Sequence, residues 1–268
     1  KKDATGGDDE LKGAEFTLTG EGITFSDTNV DKINNPTISV SADGKKITFT
    51  GQDKKTLIKS LPDGKYTLTE DTAPKGYAIT SAVTFTVENG AVTGAEKNVK
   101  AAEGSNPAVV TMFDDAIKAT FSKKVLDGDG KELPDAKIEA RAKEGTTIDL
   151  SGVVQTGGSP ENYINNGSVI SWTTGETPVE LSKLPAGEYE MVETGAPDGY
   201  ELAATTIKFT VGEDGKVTVG EAFTENLSGN NVITMYDKVK IVEKPDVEIS
   251  KKDATGGDDE LKGAEFTL

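Results

Sequence analysis

The chain has 268 residues and a net charge of −17, and it contains neither cysteine nor histidine. The missing thiols exclude disulfides and thiolate metal sites, and the missing imidazoles exclude a Ser-His-Asp triad and the usual zinc ligands. Without a basic stripe to neutralise phosphates, nucleic-acid binding is not expected. The length predicts two domains of about 100–150 residues, each with its own core.

Short β-branched or alternating segments follow one another along the chain, separated by turns such as Asp43-Gly44 and Asn89-Gly90. No window has the period of an amphipathic helix. The sequence therefore predicts an all-β protein. Its clearest predicted strands are residues 37–40, 47–50, 83–87, 207–211 and 217–219.

Repeats operate at two levels. Residues 1–118 and 119–246 share the same motifs in the same order, which predicts two related domains. Residues 251–268 are identical to residues 1–18, so residues 247–268 are predicted to start the next repeat, and the chain to be an internal piece of a longer protein. Tandem near-identical domains suit a stalk of adjustable length, whereas an active site needs only one copy.

Two connections join these units. Residues 115–119 contain neither Gly nor Pro and keep the strand pattern. We expect the last strand of one domain to run almost directly into the first strand of the next, in a stiff joint. Residues 242–246 form a longer connection, which is expected to be more flexible.

One pattern, Y-x-Φ-x-E-x-x-A-P-x-G-Y, occurs at residues 66–77 and again at residues 189–200. Because side chains alternate along a strand, Glu70 and Glu193 point to the same face as the Tyr and the apolar residue that precede them. That face is the core. A buried carboxyl group is costly unless it is protonated or paired. Each Glu therefore predicts a buried partner.

Two kinds of candidate partner repeat at matched distances from each Glu. Lys1 and Lys123 lie on the predicted first strand of each domain. Asp114 and Asp237 end the pattern Φ-T-M-aromatic-D on the last strand, each at the same separation from its Glu and on the inward side. The sequence thus predicts two buried sets of Lys, Glu and Asp.

Each set contains the groups for an amide bond that forms once. An apolar site favours the neutral amine, which is nucleophilic, and the protonated carboxyl group, which is electrophilic. A neighbouring Glu can polarise the Asp carbonyl and shuttle a proton. Fixed positions also replace a bimolecular encounter, with effective molarities of about 10⁵–10⁸ M. The alternative is an unreacted buried triad, which is costly because it is net negative when all three groups ionise.

The combination of these motifs resembles the collagen-adhesin B-type repeat, also called CnaB-like or SpaA-like, which builds stalks of Gram-positive surface adhesins and pilins. The resemblance covers nearly the whole chain and implies two tandem B-type, or reverse immunoglobulin-like, β-sandwich domains. It also implies autocatalytic intramolecular isopeptide bonds. Many members use Asn as the acceptor, so Asp here implies that water leaves rather than ammonia. The implied bonds are Lys1 to Asp114 and Lys123 to Asp237, assisted by the catalytic residues Glu70 and Glu193.

The resemblance further implies a structural protein without enzymatic turnover, anchored to the cell wall outside a Gram-positive bacterium, whose partners are adjacent repeats. A ligand-binding adhesin module, which would contact a host glycan or matrix protein, is the alternative. Its contact surface would be the irregular polar stretch of residues 161–172, which ends at the only tryptophan, Trp172. An enzyme with turnover is third, because a Lys beside each Glu/Asp pair argues against a glycosidase.

No cofactor, metal site or membrane insertion is expected. Residues 127–132 resemble a fragment of a calcium loop, but they lack its distal bidentate Glu, so a turn is predicted. No apolar run reaches the roughly 18 residues of a membrane span.

The duplicated end contains a strand without a domain. Val247, Ile249 and Lys251 lie on one face, but no Glu or Asp follows to complete a third set. A lone strand cannot bury that face. We therefore expect a head-to-tail strand exchange, in which the unpaired Lys251 of one molecule lies opposite Asp114 of another and open chains result.

Overall fold

A computed structural model describes residues 1–94, 97–104 and 106–267 of the chain. Strands contain 41% of the residues and helices 3%, which confirms the all-β prediction. Residues 1–117 are called the first module and residues 118–237 the second module. The strands of the first module are β1 Lys2–Asp3, β2 Glu15–Gly20, β3 Ser39–Val40, β4 Lys46–Thr50, β5 Gly64–Thr72, β6 Val83–Glu88, β7 Ala91–Gly94, β8 Val99–Lys100, β9 Val109–Val110 and β10 Phe113–Asp114.

The second module has eleven strands in its described residues, and each module has one short 3₁₀ helix, Asp27–Asn29 and Glu221–Asn226. The strands of the second module are β11 Lys118–Val125, β12 Lys137–Ala142, β13 Val154–Gly157, β14 Glu161–Asn165, β15 Val169–Thr173, β16 Val179–Ser182, β17 Gly187–Gly195, β18 Ile207–Val211, β19 Val217–Val219, β20 Leu227–Ser228 and β21 Val232–Asp237.

The second module is a sandwich of two sheets, with orders β13-β16-β11-β21-β20 and β14-β15-β12-β17-β18-β19. Alternation along each strand sends apolar residues inward, as in β18, where Ile207, Phe209 and Val211 are buried and the residues between them are exposed. The two inner faces form one hydrophobic core, in which Phe121 contacts Trp172 and Phe209 edge-on.

The first module has a matching six-stranded sheet of order β3-β4-β2-β5-β6-β7. Its second layer is much smaller, because the described residues there form only two two-stranded ribbons, β8-β9 and β1-β10. The core residues Leu18, Ile47 and Tyr66 are fully buried against the large sheet.

Most predicted strands are confirmed. Those at 207–211 and 217–219 have the predicted bounds, those at 47–50 and 83–87 are each one residue longer, and the one at 37–40 is shortened to β3. The prediction of an irregular stretch at residues 161–172 was wrong, because β14 and β15 form an antiparallel hairpin there.

The two modules are joined by three residues, 115–117, and they also touch through turns. Ala78 N donates to Asp115 O at 2.9 Å, Ile79 N donates to Glu213 O at 2.9 Å, and Ile117 is buried between the modules. Residues 238–267, called the tail, are exposed throughout. The stiffness of the joint and the flexibility of residues 242–246 stay predictions.

Candidate functional site: two buried Lys-Glu-Asp clusters

The repeated motif places its Glu on the central strand pair of each large sheet. Glu70 lies on β5 opposite Phe16 of β2, and Glu193 lies on β17 opposite Ile138 of β12. In both pairs the register shifts by a bulge immediately next to this position. Both carboxyl groups therefore point into the core at the same place.

The lysines reach the same place from parallel strand pairs. β1 runs parallel to β10, so that Lys2 pairs with Phe113, and β11 runs parallel to β21, so that Lys123 pairs with Met235. In a strand, residues two apart face the same side, so Asp237 follows Met235 on the inward face. The Asp of each module thus lies beside its Lys.

These contacts define the Lys1 cluster (Lys1, Glu70 and Asp114). Lys1 Nζ lies 2.9 Å from Glu70 Oε1 and is in direct contact with Asp114 Oδ1. The three side chains are at most 1% exposed. One amine and two carboxyl groups therefore share a site without access to solvent.

The Lys123 cluster (Lys123, Glu193 and Asp237) repeats this geometry. Lys123 Nζ lies 3.1 Å from Glu193 Oε1 and contacts Asp237 Oδ1, and all three side chains are 0% exposed. The structure thus brings together all six residues that the sequence singled out. Their roles in bond formation are untested predictions.

A backbone amide fixes each Glu from the side opposite the Lys. Thr80 N donates to Glu70 Oε2 at 2.9 Å, and Ala203 N donates to Glu193 Oε2 at 2.6 Å. One oxygen of each Glu is thereby held by the chain, while the other faces the Lys. The Glu is oriented before any reaction begins.

The two Asp carboxyl groups are destabilised as anions. Burial raises the pKa of Asp114 from its ordinary value of 3.8 to about 6, the Lys1 amine opposes this rise, and the neighbouring Glu70 carboxyl group adds to it. The same causes raise the pKa of Asp237 to about 6. Among the described residues, no donor bonds Oδ2 of either Asp. The site therefore favours the protonated Asp, which is the electrophilic form.

Sequence reasoning missed an acidic residue that anchors the backbone of each Lys. Glu10 accepts from the backbone nitrogen of Lys1 at 2.7 Å, Glu132 from that of Lys123 at 2.9 Å, and Glu260 from that of Lys251 at 2.9 Å. Each Glu follows its Lys by nine residues. The repeated spacing is the signal that could have revealed them.

The other residues singled out in the sequence lie outside both clusters. Lys251 lies in the exposed tail. Trp172 is only 3% exposed and packs in the core, so residues 161–172 do not present it to a ligand. Residues 127–132 contain a turn in which Asp127 has a positive φ of 57°. Within the described ranges, no group of acidic side chains is placed to hold a metal ion, and no helix is long and apolar enough to cross a membrane.

The fold and the two clusters define a tandem β-sandwich protein with a buried lysine and two carboxyl groups in each module. The chain belongs to the SpaA family, described as a prealbumin-like fold domain, whose family model matches residues 1–100 and 119–222. No curated protein matches the sequence.

Solved structures with a similar fold include three Gram-positive proteins. A C-terminal fragment of the pilus adhesin SpaC from Lactobacillus rhamnosus GG is 18% identical, with a TM-score of 0.46, over 91% of this chain and 98% of that one. The minor pilin GBS52 of Streptococcus agalactiae is 17% identical, with a TM-score of 0.30, over 89% and 87%. The Bacillus anthracis TIE protein is 20% identical, with a TM-score of 0.40, over 94% of this chain but only 35% of that protein.

Proposed function

We propose that this chain is a stalk segment of a Gram-positive cell-surface adhesin or pilin, and that each module is closed by a self-formed Lys-Asp isopeptide bond. In this proposal residues 1–118 and 119–246 are the two domains, and residues 247–268 begin the next repeat. Adjacent repeats are the partners, and neither cofactor nor metal is needed. Membership of the SpaA family and the duplicated sequence support a structural role.

The observation that carries the proposal is the presence of the same buried cluster twice. A buried ion pair with a second carboxyl group is rarely a source of stability, since desolvation offsets the attraction between the charges. Two modules nevertheless keep the same three groups at the same contacts. A reaction that consumes the charges accounts for this arrangement.

The proposed reaction joins Lys Nζ to Asp Cγ. Transfer of a proton from the ammonium to the Asp carboxylate gives a neutral amine and a protonated acid, and the raised pKa of the Asp favours this transfer. The amine attacks Cγ, and the tetrahedral adduct loses the Asp hydroxyl group as water. Because both groups are already in contact, no encounter step is needed.

The Glu of each cluster has the position of a proton shuttle. Its Oε1 lies within hydrogen-bonding distance of the amine, at 2.9 Å in the Lys1 cluster and 3.1 Å in the Lys123 cluster. From there it can take a proton from the nitrogen of the adduct and give it to the departing oxygen. The group ends as it began, while the Lys and the Asp are consumed.

The bond would lie on the mechanical path through the module. The chain enters the second module on β11 and leaves it on β21, and these strands are parallel neighbours. Force applied along the chain would otherwise act on the hydrogen bonds between them. An amide between Lys123 and Asp237 would transmit that force covalently and keep the two strands together.

The first prediction concerns the intact mass of the purified chain. We expect a mass two waters below the sequence mass, and each of Glu70→Ala and Glu193→Ala should restore one water. Glu190→Ala is the matched control, since Glu190 is also buried on β17 but pairs with Arg141 outside the cluster. It should keep both losses. A wild-type mass equal to the sequence mass would refute the bond.

The ligand-binding alternative has lost the residue that suggested it, because Trp172 is buried. Enzymatic turnover is not part of the proposal either, because a lysine that forms an amide cannot react again. A host-surface ligand would have to be bound by another part of the parent protein.

A further inference from the structure

The second layer of the first module contains an apolar groove of about 630 Å³. Its floor includes Phe49, Leu68 and Phe85 of the large sheet, and its walls are residues 56–58 and 109–112. Exposed apolar area of this extent in a soluble protein commonly marks a binding site.

The second module shows what such a groove holds. There, the first half of β11 lies between β16 and β21, with Phe121 paired to Val179 on one side and Ile233 on the other. The ring of Phe121 lies 5.5 Å from that of Trp172 and 5.8 Å from that of Phe209. In the first module Phe49 and Phe85 occupy the two corresponding sheet positions, opposite Phe16 and Tyr66. Between these two rings, the described residues place no equivalent of Phe121.

The walls of the groove have backbone groups free for pairing. Ile58 pairs with Val30 on one side, and Val109–Val110 pairs with β8 on one side. On their facing sides, the described part of the chain pairs no strand with either segment. An added strand would therefore complete a sheet as well as fill an apolar space.

The tail carries a strand of matching pattern. Val247 is 77% exposed and Ile249 is 51% exposed, and they precede Lys251 as Ala119 and Phe121 precede Lys123. The segment that follows already has the local structure of residues 1–11, because Leu261 N donates to Lys251 O at 2.8 Å, as Leu11 N donates to Lys1 O at 2.9 Å.

We propose that the groove of the first module is an acceptor site for residues 247–251 of a second copy of this chain. Ile249 would lie between Phe49 and Phe85, and its backbone would pair with Val110. Residues 251–261 of the donor would replace residues 1–11 of the acceptor, to which they are identical. The exchange keeps every contact of the replaced segment and adds the burial of Val247 and Ile249.

The exchange places Lys251 in the position of Lys1, beside Asp114 and Glu70 of the acceptor. Resting on the chemistry of the proposed function, Lys251 Nζ would bond to Asp114 Cγ, the bond from Cγ to the hydroxyl oxygen would break, and one water would leave. The groove of the donor stays open for a third copy. The product is therefore an open head-to-tail chain rather than a closed dimer.

The test mixes two full-length variants. The acceptor carries Lys1→Ala and Lys251→Ala, so that Asp114 has no lysine of its own, and the donor carries Asp114→Ala. We expect a covalent heterodimer whose mass is three waters below the sum of the chains, one for each second module and one for the new bond. Fragmentation should locate the new bond between Lys251 and Asp114. A Lys1→Arg acceptor, which keeps the positive charge, covers the case that Lys1→Ala fails to fold.

Two donor variants separate the groove from the chemistry. Ile249→Asp should slow heterodimer formation roughly tenfold or more, because a carboxylate would have to enter the apolar groove. Ile241→Asp alters another exposed apolar residue of the tail, outside the docking segment, and should have no effect. Equal rates for the two variants would overturn docking in the groove.

The water lost from the second module distinguishes the two ways of failing. If both second modules have lost water and no heterodimer forms, the strand exchange is wrong while the proposed function stands. If no water is lost anywhere, the proposed function is wrong, and native mass spectrometry of the same mixture decides whether the copies associate without a bond. A single Lys1→Ala chain that gives only a monomer short of two waters would show that the tail fills its own groove and would overturn the second copy as occupant.

Discussion

Replacing Glu193 by Gln should separate the covalent bond from the contacts of the Lys123 cluster. Glutamine keeps the size of the side chain and a carbonyl oxygen that can accept from Ala203 N, as Glu193 does at 2.6 Å. It cannot shuttle a proton as a carboxyl group does. Lys123 and Asp237 should then stay in contact as an unreacted pair, and the variant should retain the water of that bond.

The expected loss of stability follows from the loop that the bond closes. Lys123 and Asp237 are 114 residues apart. In the chain-entropy model used for disulfides, a covalent link that closes a loop of this length lowers the entropy of the unfolded chain and stabilises the fold by about 5 kcal/mol. For a domain of this size, that corresponds to a melting temperature lower by roughly 15–20 °C.

Differential scanning calorimetry of the whole chain checks this magnitude, because the first module provides an internal reference. Glu193→Gln should lower the transition of the second module alone, and the matched variant Glu70→Gln should lower that of the first. Intact mass confirms which bond is missing. A variant that lacks the bond but melts within a few degrees of the wild type would refute the argument from loop entropy.

Two further predictions concern charge and the joint. In Lys123→Met, Asp237 stays titratable and loses the amine that opposes the rise of its pKa to about 6; since a raised carboxyl pKa stabilises the fold below its ordinary value of 3.8 and this contribution is lost as the pH rises through the folded value, the melting deficit relative to the wild type should be larger at pH 8 than at pH 4, by about 3 kcal/mol. Lys124→Met, which alters a lysine paired with Glu132 outside the cluster, should show no such pH dependence, and an equal deficit at both pH values would contradict the prediction. Gly76→Ala should weaken the contact between modules, because Gly76 has a φ of +82° and an added Cβ would lie 2.5 Å from the carbonyl oxygen of Lys183. Gly90→Ala has a similar φ of +78° and open space around it, so small-angle X-ray scattering should show a broader distance distribution for Gly76→Ala only, and identical profiles would refute the contact as a determinant of stiffness.

The clusters could be located from the sequence because alternation along a strand and the repeat constrain the same residues. Alternation puts Glu70 on the face of Tyr66, and the repeat then selects Lys and Asp by their matched separations. The strands with the clearest alternation, β18 and β19, were predicted with their observed bounds for the same reason.

The features that were missed lack such a period. β8, β9 and β20 have only two residues each, too short for alternation to show. In β15, Ile170 and Trp172 are buried, but the hairpin partner β14 is polar and hides the pattern. The contacts of Gly76 with the second module depend on turns that approach in space, which no local sequence signal reports.

The two clusters are alike although the strands that carry their lysines are not. β11 has eight residues and β1 has two, yet Lys1 and Lys123 contact the same partners. The first half of β11 is therefore not what positions the lysine. That position depends on contacts near the lysine itself, such as Glu10 on its backbone nitrogen and the bond from Lys2 N to Met112 O at 3.0 Å.

This division separates reactivity from the choice of partner. The lysine and its anchoring Glu form a small unit that recurs at residues 251–260, with Glu260 bonded to Lys251 N at 2.9 Å. Any copy of the unit can present an amine to a Glu/Asp pair. The preceding residues, Val247 and Ile249 in the tail and Ala119 and Phe121 in the second module, supply the apolar burial that holds the unit in place. Affinity thus resides in the groove and chemistry in the cluster, so a substitution in one should alter the lifetime of docking and a substitution in the other the rate of bond formation.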